Sequence, residues 1–574
     1  MSILGIDILT FLVIYPALAA LVVLLIPSSA GKQIARYAAL ALGLVFTALT
    51  VSVFSQYQLL QINDPQAQQL VSNTPWFTVL GASWLTVLGA SWHVGLDGIS
   101  AAMVLLTGIL TPLAIIISFE IEERVNMHLA LVLFFATGCI GVFVAQDLMI
   151  FFLFYELSLV PMYFLINQWG GPNRKYASTK FFIYSMGGSL GMLLATQLIG
   201  WSISQVPADI VSAAQATNPA LASYIAGRPS FDMGVISALW PLLQGVQGVF
   251  LGISIETVKA LAFLGFFIAF CIKVPIWPFH TWLPDAHGEA PTAGSMLLAG
   301  VMLKLGAYGF LRLGAYGFLR LVIPFFPDVW VAPINLLGVI QTNWAGILAF
   351  LSVLGVVLGA FSALAQNDIK RLVAYSSVNH MGWVGLGIAV AALAYGQSFL
   401  TGAASDVQSA IIAANGAVMQ MFNHGLSSAG MFLLAGAIYH KTHTRDLREY
   451  GGFWVKAPIY GTIFIFTSMA SLGLPGLNGF IGEFLVVRGA YPVFTVLTVL
   501  AMIGLLFTGS YILKGIRAVL HGPFNMHWKD YNLEIEVREV IAIAPLMALM
   551  LITGLFPNWI LEVINATVTR MMGG

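Results

Sequence analysis

Charge is scarce in this sequence. Asp, Glu, Lys and Arg make up only 8% of its 574 residues, and the two signs balance at 24 each. So few charges cannot solvate the surface of a water-soluble chain of this length, and nothing in the sequence suggests nucleic-acid binding. Cysteine is rarer still. Cys139 and Cys271 lie far apart inside apolar runs, which argues against a disulfide framework and against a cysteine-held metal or iron–sulfur site. There is no glycine-rich loop followed by Lys-Ser/Thr and no dinucleotide fingerprint, so neither nucleotide hydrolysis nor hydride transfer has a motif here. Basic residues are absent before Lys32, which follows the first apolar run. That run, 9–26, is therefore expected to be a retained span and not a cleaved leader.

What the chain has in abundance is apolar length, with 59% hydrophobic residues. A membrane-crossing helix needs about 20 mostly apolar residues. Breaking the sequence at its polar and Pro/Gly clusters predicts an all-α polytopic membrane protein of about fourteen transmembrane helices: 9–26, 34–54, 97–118, 127–145, 147–168, 177–201, 257–281, 291–321, 342–366, 370–395, 407–439, 457–489, 492–520 and 538–562. The longest connection, 202–256, carries an expected interfacial helix around 235–255. Loops after the odd-numbered spans hold most of the basic residues, from Lys32 and Arg36 to Lys529 and Arg538. The other side has only Arg228, Lys259, Arg320, Arg488 and Arg570 near it. This asymmetry puts both termini on the non-cytoplasmic face.

An ionisable side chain at mid-membrane costs about 2.5–3.5 kcal/mol on insertion scales, so each needs a reason and usually a partner. Four stand out: Glu156 in "FFLFYELSLVPMYFLI", Lys273 in "FCIKVPIWPFHTWLPDAHGEAP", Lys304 in "VMLKLGAYGFLR" and Glu483 in "SLGLPGLNGFIGEFL". Lys273 is followed by Pro275, Pro278 and Pro284, and Glu483 is preceded by Gly473, Pro475, Gly476 and Gly479. Both patterns interrupt a helix in mid-membrane. Unwound backbone survives there only when buried in protein or beside a hydrated cavity, and a pair of broken helices in the two halves of a chain points to an ion pathway. His280, His380 and His424 extend the set, because imidazole changes charge near neutral pH. His280 would share the face of Lys273 only if that helix continued. A carboxylate and a lysine that meet and separate exchange charged for neutral forms, which makes a switchable proton carrier. No energy source for the switching is visible in the chain, so it needs partners.

These segments, with "NRKYASTKFFIYS", "LAQNDIKRLVAYSSVNHMGW" and "QMFNHGLSSAGMFLLAG", together resemble the antiporter-like membrane chains of proton-pumping NADH-quinone oxidoreductase, respiratory complex I, and within them the chain 4 or M branch. The resemblance runs in order over roughly residues 90–520. It implies three N-terminal spans (1–126), a first five-helix repeat (127–321), an inverted second repeat (322–520) and a C-terminal span (521–574). It also implies that Glu156 and Lys273 form a glutamate–lysine pair, that Lys304, His380 and His424 make a central relay, and that Glu483 is the terminal ionisable group. The chain itself would hold no redox centre, cofactor or metal. FMN, iron–sulfur clusters and quinone would belong to partner subunits, and the partners would be the sister antiporter-like chains and small membrane subunits. The setting implied is a bacterial inner membrane or an equivalent energy-transducing membrane. Subunits of multisubunit sodium/proton antiporters are the alternative reading. They, like the sister chains of complex I, tend to carry lysine where this chain has Glu483. A membrane scaffold without transport would not be expected to retain Glu156, Lys273, Lys304 and Glu483 together.

One departure concerns "LGAYGFLR", which stands at Leu305–Arg312 and again at Leu313–Arg320, while "FTVLGASW" at 77–84 is nearly repeated at 85–92. Eight residues rotate a helix by about 80°, so a second copy cannot preserve the face of the first. Only the copy that directly follows Lys304 is expected to occupy the family position.

Overall fold

A computed structural model describes residues 2–3, 5–27, 31–63, 69–75, 89–243, 252–311, 325–336, 340–402 and 406–572. An apolar run in lipid has to satisfy every backbone amide within itself, and the helix does so. After a short antiparallel strand pair, Ser2–Ile3 with Ile6–Asp7, come helices α1 (Ile8–Leu25) and α2 (Lys32–Asn63), followed by an antiparallel hairpin of β1 (Gln69–Pro75) and β2 (Ser91–Leu96). The next five are α3 (Gly98–Ile117), α4 (Val125–Val144), α5 (Leu148–Trp169), α6 (Arg174–Ile203) and α7 (Ile255–Lys273). A short α8 (Trp282–Glu289) leads into α9 (Thr292–Leu311). The second half contains α10 (Trp344–Ala365), α11 (Ile369–Thr401), α12 (Val407–Thr442), α13 (Pro458–Leu472), α14 (Asn478–Ala490), α15 (Thr495–Leu520), α16 (Val537–Leu555) and α17 (Asn558–Met571).

Polar caps mark where several spans begin. Asp97 accepts from the Ser100 amide, Asp147 from Met149 and Ile150, Asn343 from Gly346, and Asp368 from Arg371. Each satisfies amide groups that the first helical turn leaves open. Between α3 and α4, Glu122 is hydrogen-bonded by Lys32 at 2.7 Å and Arg36 at 2.6 Å, which tie α2 to this turn. The two cations hold its carboxyl down at about 2, so the clamp is charged at physiological pH and is lost only as pH falls through that value.

Among the described residues, twelve helices are long and apolar enough to cross a membrane, where the sequence pattern predicts fourteen. The two expected spans outside the twelve, 407–439 and 457–489, are the informative ones. The first folds as α12, whose hydropathy is diluted by Asn415, Gln420, Asn423, His424, Ser427 and Ser428, all buried. The second is broken as its glycines imply: α13 stops at Gly473, whose φ of +84° suits glycine, and α14 starts at Asn478. The expected span 257–281 is likewise not one helix. It ends at Lys273, just before Pro275, and helix resumes at Trp282.

Helices α3, α4, α9 and α12 are among the most completely buried, with α9 buried along its described length, whereas α1, α2 and α15 expose apolar faces. Small residues let the central helices approach closely. A Cβ at Gly425 of α12 would lie 2.9 Å from the Gly300 carbonyl oxygen of α9. Gly425→Val is therefore expected to cost about 1–3 kcal/mol by overpacking and to lower assembly on a native gel; normal assembly and activity would mean that the contact is not tight.

The long connection 202–256 carries short helices at Ala208–Gln215 and Met233–Leu239 and a 3-10 turn at Trp240–Leu243. Helix in the segment expected around 235–255 thus begins at Met233, and 244–251 lie outside the described residues. Asp232 in this connection meets His93 of β2 at 2.5 Å, fastening the loop to the hairpin. The second octapeptide, 313–320, and residues 77–88 of the other near-repeat also lie outside the described residues. Residues Leu305–Leu311 of the first copy continue α9 directly from Lys304.

Candidate functional site

Lys304 sits just after a departure from regular helix. Residues Leu298–Met302 of α9 form a π-helical stretch, and the Lys304 Nζ donates back to the carbonyl of Ala299 within it. Such bulges loosen the backbone ladder and recur at functional positions. No proline marks this one, and Gly300 within it is the one residue in the sequence that disfavours regular helix there. The same Nζ lies 2.8 Å from His424 Nδ1 on α12. With Lys304 protonated, Nδ1 is the acceptor and the imidazole proton belongs on Nε2, which is buried without a hydrogen-bond partner among the described residues.

From His424 the line continues through the core. The rings of His424 and His380 have centroids 5.6 Å apart, and His380 Nδ1 lies 2.8 Å from Glu483 Oε1. Gln420 Nε2 donates to the same oxygen at 3.1 Å, and Ser471 Oγ lies 3.4 Å from His380 Nε2. The Glu483 carboxylate folds back to the break between α13 and α14: a Cβ placed on Gly473 would be 3.1 Å from its Oε2. Four ionisable groups from α9, α12, α11 and α14 thus form one buried line, Lys304–His424–His380–Glu483.

Lys273 and Glu156 stand apart from that line. Lys273 is the last residue of α7, where the unsatisfied carbonyls of the helix end favour a cation. The packing of Gly306 of α9 against the Lys273 stem brings it near the helix that carries Lys304. Glu156 of α5 feels Lys273 electrostatically and faces Ser189 of α6. The expected glutamate–lysine pair is not closed in this structure: among the described residues no ion pair joins the two, and neither Lys273 Nζ nor Glu156 Oε2 has a hydrogen-bond partner. Glu156 is only partly covered by its own chain, beside the exposed Leu153 and Val160.

His280 is not drawn into the line. It lies in the non-helical segment between α7 and α8, with its ring 6.3 Å from that of Tyr375. The helix stops at Lys273, so the shared face that would have aligned the two residues does not exist.

Sequence reasoning missed two groups. His287 on α8 is fully buried, stacks on Phe432 at 4.3 Å, and lies within electrostatic reach of Lys370 and Lys304; its position in the same proline-rich segment as His280 was the available signal. Asp285 joins Lys180 of α6 at 2.7 Å and Arg371 of α11 at 2.8 Å, tying the first half of the chain to the second. Nothing in their spacing could show that Lys180 and Arg371 share one carboxylate.

A set of broken helices around a line of buried lysine, histidines and glutamate defines an antiporter-like ion-translocating membrane chain. The family described as "NADH:quinone oxidoreductase/Mrp antiporter, TM" matches residues 145–508, and the chain belongs to it. NADH-quinone oxidoreductase subunit M of Rickettsia typhi is 34% identical, covering 99% of each chain. A chain of respiratory complex I from Thermus thermophilus, solved with bound NADH, superposes with a TM-score of 0.72 at 25% identity, over 99% of this chain and 100% of that one. The Mrp complex of a Dietzia species shares the fold, with a TM-score of 0.71 at 16% identity, over 99% of this chain and 98% of that one.

Proposed function

We propose that this chain is a proton-translocating membrane subunit of a complex I-type NADH-quinone oxidoreductase. The observation that carries the reading is the buried Lys304–His424–His380–Glu483 line, because such a line has no structural purpose that apolar residues would not serve at lower cost. Glu156 and Lys273 form its loading end. A proton held by Lys304 passes to His424 Nδ1; the imidazolium then releases its Nε2 proton toward His380, and a ring rotation or one bridging water spans the gap. His380 delivers to Glu483 at the break between α13 and α14. The groups titrate as a coupled set, so no single residue owns a transfer step.

On this reading the chain has three N-terminal spans, two inverted five-helix repeats and a C-terminal span, with both termini on the non-cytoplasmic side. Flavin, iron–sulfur clusters and quinone chemistry reside in other subunits. The lateral exposure of Glu156 supports a neighbouring membrane subunit packed against α5.

Donor-driven acidification of inverted membrane vesicles tests the function. Glu156→Gln and Lys273→Ala, with assembly verified on native gels, are expected to lower NADH-driven pumping by about a hundredfold, the scale of a lost positioned proton carrier. Near-native pumping by either assembled variant would remove that residue from the relay. If NADH moves no protons in native vesicles while an imposed sodium gradient does, the antiporter reading replaces this one.

A further inference from the structure

Lys273 lacks a carboxylate partner in this structure, but its ammonium is not without a favourable neighbour. Its Nζ lies 4.5 Å from the centroid of the Tyr155 ring. Aromatic packing fixes that ring: Phe151 lies 5.8 Å away on one side and Phe270, from the same helix as Lys273, lies 6.1 Å away. Phe270 in turn packs on Phe310 of α9 at 5.4 Å. The Tyr155 hydroxyl is buried with no hydrogen-bond partner among the described residues, so ring packing and not the hydroxyl holds the side chain here.

Tyr155 and Glu156 are neighbours on α5, so their side chains leave the helix about 100° apart. The flexible four-carbon stem of a lysine can swing between two such positions. The two are chemically unlike. A carboxylate paired with the ammonium is neutralised by it and can accept a proton only once the pair opens. An aromatic face attracts the ammonium through its quadrupole, accepts no proton and leaves the carboxylate free. We infer that the Tyr155 ring is a second seat for the Lys273 ammonium, alternative to the Glu156 carboxylate, and that Tyr155 is a positioning residue of the relay. The structure holds the ring-seated arrangement. Its role is to keep the separated lysine from being stranded in an apolar interior, so that the pair can open during turnover.

The inference rests on the proposed roles of Glu156 and Lys273, and its test separates the two. Pumping is measured across the neutral pH range in inverted vesicles containing the whole complex. Tyr155→Leu is expected to lose about tenfold in rate and to change its pH profile, whereas Tyr155→Phe, which keeps the ring, restores both to within about twofold of native. A loss in Tyr155→Phe as large as that in Tyr155→Leu overturns the inference, as does native pumping by Tyr155→Leu. A Tyr155→Leu rate that falls equally at every pH also overturns it, because a packing defect behaves that way. If leucine blocks assembly, Tyr155→Met takes its place with the same outcomes. Normal pumping by both Glu156→Gln and Lys273→Ala would sink the underlying relay whatever Tyr155 does.

Discussion

Lys304→Met is expected to assemble normally and to leave NADH-driven proton pumping at background, a loss of about a hundredfold or more. Assembly should survive because Lys304 is fully buried in α9, and removing a buried charge also removes the cost of dehydrating it. Methionine keeps the unbranched shape, so the π-helical stretch and the packing of Gly300 on Gly425 are undisturbed. Function should not survive. The two groups that accept from Nζ, the Ala299 carbonyl and His424 Nδ1, lose their donor together, and the line loses its first proton carrier. Vesicle acidification with a native gel as control reads both halves of the prediction. Retained pumping would mean that protons bypass α9.

Glu483→Gln should be the second large loss, also about a hundredfold in pumping, again with assembly intact. Glutamine keeps an acceptor oxygen for His380 and Gln420 but cannot take up a proton, so geometry and chemistry are separated. Glu483→Lys is expected not to rescue, although sister chains tend to carry lysine here. His380 Nδ1 and Gln420 Nε2 both direct protons at Glu483 Oε1, and an ammonium would meet donors where it needs acceptors. Pumping by Glu483→Lys above a tenth of native would show that His380 and Gln420 reorient freely, and would weaken the carboxylate assignment.

Much of what the relay is built from is visible in the sequence. Apolar runs long enough to cross a membrane, interrupted by Lys273 with its prolines and by Glu483 with its glycines, are a one-dimensional pattern, because the rules that create them act along the chain. A backbone in lipid needs local hydrogen bonds, proline removes a donor, and glycine accepts the positive φ found at Gly473. Most span positions, both breaks and the rare ionisable residues are therefore legible in the amino-acid sequence alone. Even the two expected spans outside the twelve apolar helices carry information, since α12 is less apolar because it carries buried polar groups.

Which of those residues meet depends on contacts between segments far apart in the chain. Lys304 and His424 are 120 positions apart and His380 and Glu483 are 103 apart, so no local rule joins them. Their line exists because Gly300 and Gly425 let α9 and α12 approach and because Gly473 gives the Glu483 carboxylate room. The same tertiary geometry left His280 aside, placed His287 near Lys304, joined Lys180 to Arg371 through Asp285, and seated Lys273 over Tyr155 instead of beside Glu156. The sequence by itself determined a membrane-spanning helical chain with broken helices and a stock of proton carriers, because hydrophobicity and backbone chemistry are local. Only the tertiary structure decided their order along the relay, because that depends on which small residues let which helices touch.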